Sequence, residues 1–249
     1  MSIDQNSTVY EALYEGGIDE SWLKELEPHK KAVKQISDII DKNEEKFGIY
    51  YPLKCDLFNF LKMTPLDKVK LVIWGQDPYP TLLNDGTPRA RGYSFGVRRD
   101  DNVPQSLQNV YKEIKSDFPM FQIPDHGDLT HLAKKGILFM NQSLTFCPKN
   151  PKLYLKMWNR FTYIIINILN EKIENCIHLL WGKQCEPLVE HIRSREVFQT
   201  SHPSPFSVRR GFIGCKHFLK VNITLKKQER GEINWNESED LPPTYLENL

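Results

Sequence analysis

Residues 71–80 of the 249-residue chain read Leu71-Val72-Ile73-Trp74-Gly75-Gln76-Asp77-Pro78-Tyr79-Pro80. An apolar run of strand length ends on a glycine and passes directly into a polar loop, as buried parallel strands do where they deliver side chains to a site. Pro78 and Pro80 fix their own φ and favour extended conformations at Asp77 and Tyr79, so the backbone orients the carboxylate and the ring. The pattern predicts a preorganised site, although strand-Gly-x-Asp-Pro junctions also occur as ordinary turns.

Three further apolar runs end in the same way, at a polar residue or a glycine. The runs are Ile137–Met140 before Asn141, Cys176–Trp181 before Gly182, and Val197–Phe198 ahead of Ser201-His202-Pro203. Segments of helical periodicity near residues 157–171 and 183–193 separate them. This alternation predicts an α/β fold with a parallel sheet covered on both faces. Because ligands of such sheets bind outside the carboxyl ends of the strands, Asp77, Asn141, Gly182 and His202 are expected to meet at one rim. Singly, each also has a structural explanation, as a turn former or a hydrogen-bonding side chain.

The composition is that of an ordinary globular protein, with 40% hydrophobic and 26% charged residues, and the length suits one large domain. The five cysteines include no Cys-x-x-Cys pair, so neither a disulfide framework nor a zinc ribbon is indicated. The start of the chain has no basic and apolar leader, and no run reaches membrane-spanning length. We therefore expect a soluble, intracellular protein that is not secreted and makes no membrane contact.

Charge is uneven along the chain although the net charge is only +1. Residues 1–28 contain seven acids and one lysine, whereas residues 203–230 contain seven basic residues and one acid. The basic segment is typical of a polyanion-binding surface, with a merely solvated face as the alternative. We expect an acidic flexible arm over residues 1–17, a single domain over residues 18–235, and an acidic C-terminal tail over residues 236–249.

Several catalytic signatures are missing from the sequence, namely Gly-x-Ser-x-Gly, the Walker loop, His-Glu-x-x-His and Gly-x-Gly-x-x-Gly. What remains is a carboxylate, a histidine and an amide, which suit cleavage at a carbon that bears a good leaving group. The amide of Asn141 can pair with a donor and an acceptor side by side, as on a nucleobase edge. The loop 201–211 adds two serine hydroxyls, two arginines and the aromatic Phe206, which is typical of a phosphate-gripping loop with an apolar wedge.

Five motifs along the chain, taken in order, match the pattern of a known protein family. They are Gly75-Gln76-Asp77-Pro78-Tyr79, Pro104-x-Ser106-Leu107-x-Asn109-x-Tyr111-Lys112-Glu113, Leu179-Leu180-Trp181-Gly182, His202-Pro203-Ser204-Pro205-x-Ser207 and Gly211-Phe212-x-Gly214-Cys215-x-His217-Phe218. Together they resemble the uracil-DNA glycosylase family over residues 18–235. The resemblance implies a central four-stranded parallel sheet flanked by helices on both faces. It also implies a DNA repair glycosylase that flips deoxyuridine out of DNA and hydrolyses the N-glycosidic bond, without metal or cofactor, to release uracil and leave an abasic site.

The same resemblance implies roles for individual residues. Asp77 is the water-positioning carboxylate, and His202 stabilises the uracil anion. The positions implied to contact uracil are Gln76, Tyr79, Phe95 and Asn141. The positions implied to contact DNA are Ser106, Lys183, Ser204, Phe206, Ser207 and Arg210. Tyr79 would occupy the place of the thymine methyl, and Phe95 would stack on the flipped base.

The chain also departs from the family pattern. Pro80 replaces a histidine, and the excursion over residues 81–91 is longer by a few residues. Phe206 stands where the family has a leucine wedge, and it still has the size to fill a vacated stack. Lys183 replaces a serine, so one phosphate contact would become a charge and steepen the salt dependence by about one ion.

The leading prediction is an active glycosylase on single- and double-stranded DNA, acting as a monomer in the nucleus or the cytoplasm, wherever DNA is replicated. A DNA-binding scaffold that serves replication through protein contacts is the second hypothesis. An enzyme for another base, such as thymine in mismatches, is the third. Replication or repair proteins are further possible partners of the leading form.

Overall fold

A computed structural model describes residues 3–238 and residue 244. Its centre is a parallel sheet in the order β2-β1-β3-β4, whose strands are β1 (Leu71–Gly75), β2 (Ile137–Asn141), β3 (Ile177–Trp181) and β4 (Val197–Thr200). The pairing places Gly75 beside Asn141 and Trp181 beside Thr200, so the strands end at one edge. The predicted four-stranded parallel sheet flanked by helices is confirmed.

The strands form where the sequence is continuously apolar. Every residue of β1, β2 and β3 is buried, as expected for parallel strands covered by helices. β4 lies at an edge of the sheet and is only partly buried. Its shorter apolar run, Val197-Phe198, reflects that position.

The helices surround the sheet and are α1 (Val9–Tyr14), α2 (Glu20–Leu26), α3 (Lys30–Phe47), α4 (Asn59–Met63), α5 (Gln105–Asp117), α6 (Thr130–Lys134), α7 (Leu155–Lys172) and α8 (His217–Lys227). Short 3-10 helices cover Glu27–His29, Leu66–Lys68, Lys183–His191 and Val208–Arg210. The helical segment predicted near 183–193 is 3-10 in form and contains Pro187. Proline has no N–H to donate and so interrupts α-helical hydrogen bonding there.

The start of the chain differs from the predicted flexible arm over residues 1–17. Residues 9–14 form α1, which begins with a capping box in which Thr8 and Glu11 exchange backbone and side-chain hydrogen bonds. Val9 and Leu13 are buried in the main hydrophobic core, and Asp41 of α3 accepts a hydrogen bond from the Val9 N–H. Packing against α3 therefore orders a segment that is too short to show a clear period by itself.

The predicted acidic tail, residues 236–249, is described only for 236–238 and for Thr244. Thr244 is buried, and its Oγ1 accepts a hydrogen bond from the Trp235 N–H at 2.7 Å. Glu237 forms an ion pair with Arg99, and its Oε2 lies within hydrogen-bond distance, 3.0 Å, of His126 Nε2. The other tail positions lie outside the described residues.

Candidate active site

A pocket of about 360 Å³ opens at the carboxyl ends of the strands. Its walls are Gly75, Gln76, Asp77, Pro78, Tyr79, Pro80, Tyr93, Phe95, Ser106, Asn141, His202 and Ser204. They include both residues predicted to be catalytic and all four predicted to bind uracil. The convergence expected from the ends of the strands is therefore found in the structure. Tyr93 and Pro78 are pocket residues that the sequence argument did not assign.

The Asp77 carboxylate enters the pocket from the rigid loop after β1. The backbone before it is fixed because the Gln142 and Ser143 N–H groups donate to the carbonyls of Gly75 and Gln76 at 3.0 and 2.9 Å. The residue stays open to solvent through the pocket mouth. The surrounding walls nevertheless partly desolvate its carboxyl group and raise its pKa above 3.8. The Gln76 amide, 3.4 Å from the carboxylate, lowers this pKa but has the smaller effect. The carboxylate is poorly neutralised by its neighbours, so it remains available to a developing positive charge or a water molecule.

His202 faces the pocket from the loop that follows β4. Its Nδ1 accepts a hydrogen bond from the Ser204 backbone N–H at 3.1 Å. An N–H group can only donate, so Nδ1 carries no proton and the neutral ring must carry it on Nε2. Burial lowers the pKa of His202 below 6.5, which keeps the ring neutral near pH 7. The site thus presents a neutral N–H donor.

Two glycines make room for these side chains. A Cβ on Gly75 would lie 2.2 Å from Oδ1 of Asn141, and a Cβ on Gly182 would lie 3.0 Å from Cβ of His202. Gly182 also has φ near +97°, which side-chain-bearing residues rarely adopt. Asn141 is almost fully buried. The glycines at the ends of β1 and β3 therefore leave the space that the Asn141 and His202 side chains occupy.

Tyr79 and Phe95 form a braced aromatic wall. The Tyr79 hydroxyl donates to the Phe95 carbonyl at 3.1 Å, and burial raises the pKa of Tyr79 above 10. Phe95 has φ near +65°, an uncommon conformation that suits a constrained site. Its ring centroid lies 5.6 Å from that of His202 and 5.4 Å from that of Trp181. A planar ligand in the pocket would meet this wall.

The loop 201–212 is held by its own serines. Ser207 Oγ donates to the His202 carbonyl at 2.7 Å and lies 3.0 Å from Ser204 Oγ. Ser201 Oγ donates to the Ser207 carbonyl at 2.9 Å and accepts from the Phe212 N–H at 3.0 Å. At the tip of this loop Phe206 is 89% exposed. An aromatic ring this exposed on a tightly bonded loop is available for insertion into a partner.

Three of the predicted DNA contacts line a second cavity of about 520 Å³, which shares His202 with the first. Lys183, Ser207 and Arg210 line it. Ser106 lies in the first turn of α5, where main-chain N–H groups have no helical partner and favour anions. Lys183, Ser207 and Arg210 therefore lie beside the first pocket on the side of His202, which both cavities share, while Ser106 lines the first pocket itself. Within residues 3–238 and 244, no group of three or more His, Cys, Asp or Glu residues is arranged to hold a metal ion.

The fold and the pocket together define an α/β protein with a partly aromatic pocket at the carboxyl edge of a parallel sheet. The profile of the uracil DNA glycosylase superfamily matches residues 61–226. The chain is 41% identical over 205 residues to the uracil-DNA glycosylase of Coxiella burnetii strain CbuG_Q212, covering 81% of this chain and 86% of the relative. It is 36% identical over 213 residues to that of Francisella tularensis subsp. tularensis strain WY96-3418, covering 84% and 94%.

Solved structures agree with the sequence matches. The crystal structure of mimivirus uracil-DNA glycosylase superposes with a TM-score of 0.80 at 26% identity, covering 94% of this chain and 96% of the other. The chain therefore belongs to the uracil-DNA glycosylase family. The resemblance inferred from the motifs is confirmed. No helix in the described part of the chain is long and apolar enough to cross a bilayer.

Proposed function

We propose that this chain removes uracil from DNA by flipping the deoxyuridine into the first pocket and hydrolysing its N-glycosidic bond. The observation that carries the proposal is the meeting of Asp77, Asn141 and His202 in one pocket beside a wall of aromatic residues. Family membership supplies the substrate class, and these three groups supply the chemistry. The predicted site residues have the roles given below.

Asp77 and His202 act on opposite sides of the bond that breaks. As the C1′–N1 bond cleaves, its electron pair leaves with the uracil and positive charge develops on the sugar. The Asp77 carboxylate stabilises that charge and orients a water molecule, whose oxygen bonds to C1′ and whose proton passes to the carboxylate or to solvent. The His202 Nε2–H donates a hydrogen bond to the anionic oxygen of the departing base. A neutral donor matches this task because it need not surrender its proton to stabilise the anion.

Selectivity for uracil comes from the buried amide and the aromatic wall. Asn141 accepts a hydrogen bond from the base N–H and donates to the adjacent carbonyl. Gln76 contacts the base from the start of the rigid loop. Phe95 stacks on the base, and the Tyr79 ring fills the space where the methyl group of thymine would go.

DNA is held by the groups around the pockets. Ser106, Ser204 and Ser207 contact phosphates, while Lys183 and Arg210 supply positive charge along the backbone. Phe206 enters the space left by the flipped nucleotide. Flipping costs a few kcal/mol of unstacking, which these contacts offset. We propose that the protein acts as a monomer on single- and double-stranded DNA, inside the cell where DNA is replicated. Contacts with replication or repair proteins are a further part of this proposal.

The test is release of free uracil from matched single- and double-stranded oligonucleotides that contain one deoxyuridine, with EDTA present. Release from both, with none from thymine or cytosine controls, is the expected result. Tight DNA binding without any release would contradict the proposal and favour a DNA-binding scaffold. Release of thymine from mismatches by the unmodified protein would favour an enzyme for another base.

A further inference from the structure

One face of α5 bonds to the backbone of the segment that follows β4. Asn109, Glu113 and Asp117 are spaced four residues apart and so project from the same side of the helix. Asn109 Nδ2 donates to the Pro203 carbonyl at 2.8 Å, and Asp117 Oδ2 accepts from the Leu219 N–H at 3.1 Å. Between these two contacts the Glu113 carboxylate accepts two backbone hydrogen bonds. The helix is thus joined to this segment from Asn109 to its last residue.

Glu113 makes the central contact of this row. Only 2% of the residue is exposed, and Oε2 and Oε1 accept from the Gly214 and Lys216 N–H groups at 2.8 and 3.1 Å. Hydrogen bonds to an ionised acceptor are stronger than neutral ones. Lys216 has φ near +59°, a conformation that is unfavourable for a residue that bears a side chain, whereas Gly214 adopts its φ near +79° without that cost. The carboxylate therefore fixes a turn that would otherwise relax.

The clamped segment carries much of the site. Ser204 lines the first pocket, Phe206 forms the exposed tip, and Arg210 lines the second cavity. Ser106, which also lines the first pocket, belongs to α5 itself, two turns before Glu113. The position of Ser204 relative to Ser106 hence depends on how the segment is attached to α5.

We infer that Glu113 is a positioning residue for the uracil-excision reaction, an inference that rests on the proposed function. It touches neither pocket. It acts by holding the loop with His202 and Phe206 at a fixed distance from the Ser106 end of α5. A shift of about 1 Å in such a group can cost about 100-fold in rate.

The test replaces Glu113 by glutamine, which keeps the shape of the side chain but offers one acceptor oxygen in place of two. We expect Glu113→Gln to lower kcat/KM on duplex DNA about tenfold or more at a temperature where the variant is folded. Asp41→Asn is the matched control, because Asp41 of α3 also accepts the backbone N–H of another segment, that of Val9 in α1. Its kcat/KM should stay within about twofold of the wild type, even if its melting temperature falls by a similar amount.

A double-mutant cycle separates positioning from general stability. The effects of Glu113→Gln and Phe206→Ala should be non-additive in kcat/KM and in the Kd for the duplex, whereas those of Asp41→Asn and Phe206→Ala should add. Wild-type kcat/KM in a folded Glu113→Gln protein, or additivity in its cycle, would overturn the inference. If the wild type released no uracil, the proposed function would fail, and the cycle in Kd would still decide whether Glu113 positions the loop.

Discussion

At the scale of single residues, the two predicted catalytic groups are distinguished by what surrounds them. Partial desolvation raises the pKa of the Asp77 carboxyl, and burial lowers the pKa of the His202 ring. Each shift disfavours the charged form of its group, because the pocket walls shield both groups from water. Such a site interacts strongly with charge that develops only as the bond breaks.

Replacement of either group should abolish most of the turnover. We expect Asp77→Asn and His202→Leu each to lower kcat by roughly 100- to 1,000-fold, because each removes one preorganised stabilising group, while DNA binding persists. Single-turnover release of uracil and Kd for the same duplex measure the two effects. Asp85→Asn is the control, since Asp85 is an exposed carboxylate that accepts hydrogen bonds from Thr87 in the adjacent excursion. Near-normal turnover in either site variant would refute its assigned role.

The dependence of activity on pH follows from the two shifts. Activity requires ionised Asp77 and neutral His202, so both requirements fail as pH falls. Because burial lowers the pKa of His202 from its ordinary value, kcat/KM should remain constant across the neutral range and decrease only as the pH falls through that lowered pKa. The acid limb should involve two protons in the wild type and one in Asp77→Asn. A decline that begins above pH 7 would show that His202 is not held neutral.

The Tyr79 ring should decide whether thymine is accepted. Tyr79→Ala removes the partly buried ring and opens space beside the base, so we expect thymine release to appear that the wild type lacks. Tyr79→Phe loses only the hydroxyl bond to the Phe95 carbonyl and should continue to exclude thymine. Assays on matched uracil and thymine oligonucleotides compare the three proteins. If Tyr79→Ala excised only uracil, another group would have to exclude the methyl.

At the scale of elements, the exposed tip of loop 201–212 is the clearest candidate for a function in DNA distortion. We expect Phe206→Ala to lower kcat/KM on duplex DNA about tenfold and on single-stranded DNA much less, since only a duplex has a continuous stack to refill. The melting temperature should not change, because the ring is 89% exposed. Ile49→Ala, at an apolar residue that is 60% exposed and lines neither pocket, is the control. An equal loss on both substrates would argue against a wedge.

At the scale of the whole molecule, α1 belongs to the folded body. Leu13 is fully buried in the main core, so Leu13→Ala should lower the free energy of unfolding by about 2–5 kcal/mol. Kinetics on short oligonucleotides at low temperature should stay unchanged, because α1 lies in neither pocket wall. Glu15→Ala, at an exposed position just after the helix, should be neutral in thermal or urea unfolding. Equal stability of both variants would restore the view of a loose arm.

The sequence by itself predicted the strands of the sheet and the meeting of Asp77, Asn141 and His202 at its carboxyl edge, but neither α1 nor the pocket residues Tyr93 and Pro78. Continuous apolar runs specify buried parallel strands, and parallel strands bring their carboxyl ends to one edge, so Asp77, Asn141 and His202 were predictable together. These inferences depend on local pattern and on chemistry that is carried by single residues. Neither needs knowledge of which distant segments touch.

Four features follow from the tertiary structure alone. They are the packing of α1, the burial of Thr244, the choice of which His202 nitrogen carries the proton, and the hydrogen bonds from the Gly214 and Lys216 N–H groups to Glu113. Each depends on contacts between backbone and side chains that no local period encodes. A six-residue helix gains its stability from the surface it covers, here α3. A ring nitrogen takes its proton according to the neighbour that the fold supplies, here the Ser204 N–H.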